Sequence, residues 1–179
     1  AQFRRQCPEL EIEFFIGNTD AIQKKLLDRE LDIGLTEGPG QWEDELVSQT
    51  FRWDDLVVIA APSAPAAMPV AVLARQPWVM REPGSGTRAV VEDALAALGL
   101  HPRPAWVFNN PEAVKRAVMA DCGVAMAPRI TVEAEIAART LRQVKVPGLA
   151  KRRPLRLQWL RSRPPSAAMT AFAAICQNS

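Results

Sequence analysis

Residues 81–88 read REPGSGTR and combine residue types that can hold an anion. Gly84 and Gly86 flank Ser85, and two glycines so close together let several backbone N–H groups point at one spot. A strand-like apolar stretch precedes the segment, and a helical pattern over 87–98 follows it, with an N-terminus that favours negative charge. The candidate ligand-binding residues are Ser85, Gly86, Thr87 and Arg88. A phosphate cradle, the ligand loop of a sensor and a simple turn are all open at this point.

A second polar loop follows the next predicted strand, where Asn109 and Asn110 precede a predicted helix over 111–121. In an open α/β sheet, ligands bind beyond the carboxyl ends of the strands, so both loops are expected at the same edge. Together they predict a site for a small anionic or polar molecule, without a catalytic group. Helix capping by Ser85 and Asn110 is the alternative for each single residue.

The glycine loop also fits a G-x-G-x-x-A pattern through Gly84, Gly86 and Ala89, which raises the alternative of a dinucleotide site. The match is weak, because asparagine stands where an acidic residue is expected about 20 residues further on. A P-loop is disfavoured because its lysine is absent. We therefore predict no cofactor.

Residues suited to catalysis or metal binding are scattered. The single histidine, His101, lies in a predicted loop, and the three cysteines are far apart and form no metal-binding pattern. Asp54 and Asp55 lie in a predicted turn, where a solvated hairpin tip is expected rather than an acid/base or metal pair. We predict neither an enzyme nor a metal site.

The overall charge is close to neutral: the 179 residues carry a formal net charge of +2, and 48% of them are hydrophobic. This excludes the basic footprint of a domain that binds nucleic acid by itself.

No apolar run reaches the roughly 18 residues of a membrane helix, and no leader pattern opens the chain. We therefore expect no membrane contact and a cytoplasmic location. The basic stretch 151–163 is predicted to form a crossover and a charge-protected edge strand.

Strand and helix patterns alternate along the chain. Residues 10–16 predict a strand, and 46–51 and 56–61 predict two more, the last being apolar on both faces and therefore central. The later alternation predicts a largely parallel sheet covered by helices. The Pro- and Ala-rich segment 62–69 indicates a crossover, and a second near 147–154 returns the chain to the first lobe. The predicted fold is α/β, with two lobes joined by two crossovers.

Four segments carry a resemblance to a known family: PELEIEFFIGNTDAIQKKLLDRELDIGLTEGP, LVVIAAPSAP, PWVMREPGSGTR and NNPEAVKRAVMADCGVAMAPR. In this order they resemble the effector-binding domain of LysR-type transcriptional regulators, over essentially the whole chain. The resemblance implies a fold similar to type 2 periplasmic binding proteins, with two Rossmann-like subdomains and a cleft. Residues 1–64 and 148–179 would form the first subdomain and 65–147 the second.

The resemblance also implies a small-molecule effector in the cleft. The loop with Ser85 and Thr87 would contact it, as would the polar position that falls on Asn109. Family members usually have Thr or Ser at that position. Thr36, in the predicted short strand LDIGLTEG, completes the set of candidate residues.

The resemblance further implies a homodimer or homotetramer that transmits the effect of the ligand to DNA. The expected interface joins surfaces near residues 1–16 of one chain and near helix 111–121 of the other. DNA would be contacted only through a winged helix-turn-helix. That domain and the first strand of the family fold are expected to precede Ala1.

Two other functions share part of this pattern. A periplasmic solute-binding protein has the same fold but requires an export signal. A cofactor-dependent enzyme would bind a dinucleotide at the glycine loop. Neither accounts for the four family segments as well as a sensor domain does.

Overall fold

The computed structural model describes residues 2–38 and 44–177. It divides the chain into two compact units, of which the first comprises Ala1–Trp53 and Pro154–Ser179 and the second Asp54–Arg153. None of the helices in the described ranges is long and apolar enough to cross a membrane.

Seven helices and seven strands lie in the described part of the chain. The helices are α1 Gln2–Gln6, α2 Thr19–Leu27, α3 Val70–Leu73, α4 Gly86–Ala96, α5 Pro111–Met119, α6 Arg129–Ala137 and α7 Ala167–Gln177. The strands are β1 Gly34–Glu37, β2 Leu46–Ala60, β3 Trp78–Arg81, β4 Pro104–Phe108, β5 Ala125–Pro128, β6 Arg142–Val144 and β7 Lys151–Leu160.

The first unit contains β1, which pairs antiparallel with β7, and β7 lies beside β2 in the same sheet. Helix α2 packs against β1 through the fully buried Leu26. This approach requires glycine at position 34, since a Cβ on Gly34 would come within 2.6 Å of Ile22 Cγ2. Helices α1 and α7 contact each other where Phe3 meets Phe172 edge to face, with ring centroids 5.3 Å apart.

The second unit has a mixed sheet arrangement. Strand β3 pairs parallel with β4, and a parallel bridge between Trp78 and Val124 sets β3 beside the segment that leads into β5. The C-terminal half of β2 pairs antiparallel with both β5 and β6. The largely parallel sheet expected from the later alternation is therefore correct for β3 and β4, whereas β5 and β6 each pair antiparallel with β2. Strand β2 enters from the other unit instead of following a helix, so no β-α-β connection dictates its direction.

Alternate residues of β2 contribute to two separate apolar clusters, as expected for a central strand that is hydrophobic on both faces. Val58 belongs to one cluster with Trp78 and with Leu95 of α4. Ile59 belongs to the other, with Val118 of α5. All of residues 56–60 are buried, which confirms the predicted central strand.

The two strands predicted at 46–51 and 56–61 form one continuous strand, so the predicted turn at Asp54 and Asp55 is wrong. A pair of aspartates favours a turn when it can be solvated. Here each carboxylate forms an ion pair with an arginine of β7, Asp54 with Arg153 and Asp55 with Arg152. Because both carboxylates are paired, β2 continues through Asp54 and Asp55 without a turn.

The strand predicted over residues 10–16 is not formed within the described ranges. The segment is irregular, and its large apolar side chains are exposed, most of all Phe14 at 85% and Ile16 at 94%. Alternation of apolar residues predicts a strand only where a partner strand supplies the hydrogen bonds. No such partner pairs with this segment among the described residues.

Candidate functional site

The predicted ligand loop forms the start of α4. Ser85 is its N-cap residue, and its side-chain oxygen accepts a hydrogen bond from the backbone N–H of Arg88 at 3.4 Å. Gly84 has φ of +84°, a left-handed conformation that glycine adopts without strain and that turns the chain from β3 into the helix. Ser85 and Thr87 are both buried. The capping role expected as the alternative for Ser85 is present, and the hydroxyl keeps its proton for another bond.

Arg88 connects α4 to the end of β3. Its Nη1 donates to the carbonyl oxygen of Arg81 at 3.0 Å, and its Nε donates to Glu92 Oε1 at 2.8 Å. Arg81 in turn forms an ion pair with Glu82 at 2.8 Å. Part of the Arg88 guanidinium is therefore used to fix the loop.

Arg153 contacts the same loop, and sequence reasoning missed it. Its Nη1 donates to Thr87 Oγ1 at 2.7 Å, while Nε and Nη2 donate to Asp54 Oδ2 at 3.1 and 3.0 Å. The side chains of Arg153 and Asp54 are only 6% and 9% exposed. The pair therefore joins the two places where the chain passes between its units, at 53/54 and 153/154.

A signal for this pair was present in the sequence. Two adjacent acidic residues lie in one crossing segment and two adjacent arginines in the other, so opposite charges can meet. Side chains alternate between the faces of a strand, so the two pairs lie on opposite faces of the sheet. Arg152 and Asp55, the second pair, are 63% and 55% exposed at 3.2 Å. The predicted charge-protected edge strand is wrong, because β7 lies between β1 and β2 in the sheet and its Arg153 is buried.

The second predicted loop forms the start of α5. The side chain of Asn110 caps the helix, with Oδ1 accepting from the N–H of Glu112 at 2.7 Å and of Ala113 at 3.4 Å. Pro111 follows at the first helical position, as predicted. Asn109 and Asn110 are both exposed. Their amide groups border the start of the helix without being buried in it.

The first turns of α4 and α5 meet around one small pocket. Thr87 and Arg88 line it from α4 and Val114 from α5, with the remaining walls from β3, β5 and the body of α4. Its volume is about 20 Å³, which is enough for one water molecule and too little for a metabolite. Ser85, Asn109 and Asn110 do not line this pocket. The two predicted loops nevertheless leave the ends of neighbouring strands, since the Glu82 N–H donates to the Phe108 carbonyl oxygen at 3.0 Å.

Thr36 belongs to the first unit, in a buried polar cluster. Its hydroxyl donates to Gln158 Oε1 at 2.8 Å, and the Gln23 amide donates to the same oxygen at 3.2 Å. The amide of Gln158 donates to Ser48 Oγ at 3.0 Å. Within the described residues, the fully buried Gln23 Oε1 has no hydrogen-bond donor. Gln158 is therefore the hub that the other three side chains share.

We predict that Gln158→Leu destabilises the protein by about 1–3 kcal/mol, because it leaves the Thr36 hydroxyl and the Gln23 amide buried without an acceptor. The matched variant Gln23→Leu removes the unpaired oxygen and should cost less than about 1 kcal/mol or increase stability. Urea unfolding of both variants measures the difference. A larger cost for Gln23→Leu than for Gln158→Leu would contradict the hub assignment.

Lys115 links α5 to α6 by contacting two carboxylates. Its Nζ lies 2.8 Å from Glu112 Oε2 and 2.5 Å from Glu135 Oε1. The hydrogen bond from Lys115 holds the pKa of Glu135 below its usual value near 4.5. Lys115, and then Arg116, lower the pKa of Glu112 in the same way. The bonds to Glu112 and then Glu135 raise the pKa of Lys115 above its usual 10.5.

These pKa shifts predict a loss of stability in acid. A lowered carboxyl pKa contributes stability that is present above the unfolded pKa and is lost as the pH falls through the folded value. Glu135→Gln should therefore show a smaller fall in Tm than the unchanged protein when the pH drops from about 7 to about 3.5. Glu133→Gln, at an exposed position of the same helix, is the control. Equal falls in all three proteins would contradict the assignment.

The groups around α4 can bind a ligand through N–H, hydroxyl and guanidinium donors.

The residues weighed for catalysis or metal binding do not form a site. His101 is exposed in the segment between α4 and β4. Among the described residues, no three His, Cys, Asp or Glu side chains lie close enough to hold a metal ion.

Comparison with known proteins identifies the family. The sequence model of the LysR substrate binding domain matches residues 1–179. The chain belongs to the LysR substrate-binding domain family. The match covers both units, including α4, α5 and the buried Arg153.

The curated relatives of this LysR domain are longer proteins. It is 36% identical over 150 residues to the uncharacterized HTH-type transcriptional regulator YeiE of Escherichia coli K12, covering 82% of the chain and 51% of YeiE. It is 35% identical over 181 residues to the phosphonates import ATP-binding protein PhnC of Anaeromyxobacter dehalogenans, covering 98% of the chain and 36% of PhnC. The chain therefore spans about half or less of the length of these relatives.

A solved regulatory domain has the same fold. The regulatory domain of CcmR from Synechocystis PCC6803, determined in complex with 2-PG, superposes with a TM-score of 0.87 at 24% sequence identity. The superposition covers 99% of this chain and 86% of the CcmR chain. The type 2 periplasmic-binding-like α/β fold predicted from the sequence is thereby confirmed.

Proposed function

We propose that this LysR domain is the effector-sensing and oligomerisation part of a DNA-binding transcriptional regulator. The family match over all 179 residues carries the proposal. The helix-turn-helix regulator YeiE among its relatives favours this function over a periplasmic solute-binding protein. In this proposal DNA is contacted through a helix-turn-helix outside this chain. The protein acts in the cytoplasm, and binding rather than catalysis is its activity.

The effector site of the proposal is centred on the start of α4. Buried hydroxyl groups of Ser85 and Thr87, next to a helix N-terminus and a buried arginine, support it. The proposed functional subdomains, 1–64 with 148–179 and 65–147, differ at both crossovers from the compact units, which change at 53/54 and 153/154. The proposed effector-binding residues of the second unit are Ser85, Gly86, Thr87, Arg88, Asn109 and Asn110. Thr36, whose hydroxyl donates to Gln158 in the first unit, remains a prediction from the sequence.

The proposed effector is a small anionic or polar metabolite. The donor groups at the start of α4 match ligand oxygens that accept hydrogen bonds. Two comparisons agree with this chemistry. CcmR was solved with 2-PG bound, and PhnC is named for phosphonates.

Exposed apolar side chains in both units support a homodimer or homotetramer. In the first unit they occupy residues 10–16, and in the second they include Trp106 and Val107 of β4, which are 50% and 49% exposed. Such residues are enriched in protein interfaces. The effector then acts by binding one conformation of the assembly more tightly than another.

Thr87→Val tests the proposed site, because it removes one hydroxyl at nearly constant volume. Loss of a hydrogen bond to a charged ligand is expected to weaken effector binding about tenfold or more, measured by calorimetry. Thr131→Val is the matched control. It removes a hydroxyl at the start of another helix, α6, where the Thr131 hydroxyl donates to the backbone carbonyl of Pro128. Unchanged affinity in Thr87→Val would remove the start of α4 from the site.

A further inference from the structure

Arg153 bridges a buried carboxylate and a residue of the proposed effector site. One edge of its guanidinium contacts Asp54 Oδ2, and Nη1 donates to Thr87 Oγ1 at 2.7 Å. All three residues lie in the second unit, and each is largely buried. The charge of Arg153 is balanced by Asp54. The contact by which Arg153 reaches the proposed site is its bond to Thr87.

The bond from Arg153 determines what the Thr87 hydroxyl can do. A hydroxyl has one proton to donate and two lone pairs that accept, and a guanidinium can only donate. Thr87 Oγ1 must therefore accept from Arg153, which uses one lone pair and leaves the proton to point elsewhere. A charge-assisted bond also polarises the hydroxyl and makes it a stronger donor.

The Ser85 hydroxyl and the first backbone N–H groups of α4 are also placed to donate hydrogen bonds. Ser85 Oγ already accepts from the N–H of Arg88, so its proton is likewise left to donate. The N–H groups of Gly86 and Thr87 open α4 and have no carbonyl partner within the helix. The start of α4 therefore offers mainly donors.

We propose that Arg153 is the positioning residue that sets the ligand class of this site. Through Thr87 Oγ1 it makes the start of α4 a donor set that matches an oxyanion whose bound oxygens only accept. Sulfate and the dianionic form of a phosphoryl or phosphonyl group have this property. A protonated oxyanion or a neutral hydroxyl replaces one of these accepting oxygens with an O–H, so it matches this mainly donating set less well. The inference rests on the proposed function, since it takes the start of α4 as the effector site.

The test compares two pairs of substitutions with the same chemistry. Asp54→Leu with Arg153→Met removes the buried pair, and Asp55→Leu with Arg152→Met removes the exposed pair one residue away. Calorimetry with inorganic sulfate should show about a tenfold or greater loss of affinity for the first pair and less than about twofold for the second. Arg153→Lys is a further variant, because it keeps a cation beside Asp54 but cannot reproduce the planar fork.

Two readouts separate positioning from a structural role. Thr87→Val should weaken sulfate binding in the unchanged protein but add less than about twofold to the buried-pair variant, because both act through one hydroxyl. Inorganic phosphate should bind more weakly as the pH falls from about 8 to about 5, because the phosphate dianion takes up a proton over this range. Sulfate should not show this loss, and the buried-pair variant should discriminate less between the two anions.

The outcomes distinguish this inference from the proposed function. Equal sulfate affinity in the unchanged protein and the buried-pair variant would overturn the role of Arg153 and leave the effector site intact. Binding of neither anion, together with a neutral ligand whose affinity depends on Thr87, would overturn the ligand class alone. Ligand binding that is unaffected by Thr87→Val would overturn the proposed site and the inference with it.

Discussion

Arg153→Met should lower the free energy of unfolding by about 3–5 kcal/mol, because it leaves the Asp54 carboxylate buried without its cation. The carboxylate loses the two hydrogen bonds from Arg153 at 3.1 and 3.0 Å, and Thr87 loses its donor at 2.7 Å. For a chain of this length the Tm should fall by roughly 10 °C. Thermal and urea unfolding measure both quantities.

Two further variants identify the cause of that loss. Adding Asp54→Leu to Arg153→Met should recover most of the stability, since buried ion pairs are often replaced by apolar residues at little cost. Arg152→Met, in the exposed pair with Asp55, should change stability by less than about 1 kcal/mol. Similar losses in Arg152→Met and Arg153→Met would show that burial of the Asp54–Arg153 pair does not matter.

Gly123→Ala should destabilise the protein by about 3 kcal/mol or more, through steric overlap as well as backbone strain. Gly123 has φ of +142°, and a Cβ there would lie 2.1 Å from the Pro77 carbonyl oxygen. That oxygen accepts from the N–H of Val124 at 2.9 Å, so it cannot move away without disturbing the contact between β3 and β5. Urea unfolding measures the loss.

Gly99→Ala is the matched control for this prediction. Gly99 also has a positive φ, +71°, but a Cβ there would meet nothing within 4 Å. The substitution therefore adds only the strain of an L-residue in a left-handed backbone conformation, and it should lower the free energy of unfolding by about 1–2 kcal/mol. Equal losses in the two variants would mean that the close approach of Pro77 contributes nothing.

The elements that carry their own local signals are predictable from the sequence. Asn110 and Pro111 mark the start of α5, and the apolar run 56–60 marks a central strand, because caps and two-sided burial depend on nearby residues. The continuity of β2 through Asp54 is not predictable in this way. It depends on arginines about a hundred positions away in β7, which a local pattern cannot reveal.

The candidate site was predictable to the level of its loops. The glycines and hydroxyls of the α4 start are visible in the sequence, since such residues form turns and caps wherever they occur. The hydrogen bond from the Thr36 hydroxyl to Gln158 depends on tertiary packing, and so does the hydrogen bond from Arg153 to Thr87. Both contacts join residues more than 60 positions apart, so no local sequence pattern predicts them.

A thermal-shift screen against small oxyanions and neutral metabolites, run in parallel on Thr87→Val, tests the sensor assignment most directly. A ligand at about 100 times its Kd should add about 2.7 kcal/mol of stability, which corresponds to a rise in Tm of roughly 5–10 °C. At least one anion is expected to raise the Tm in this way, with a smaller rise in Thr87→Val. No shift with any ligand, or identical shifts in both proteins, would contradict the sensor assignment.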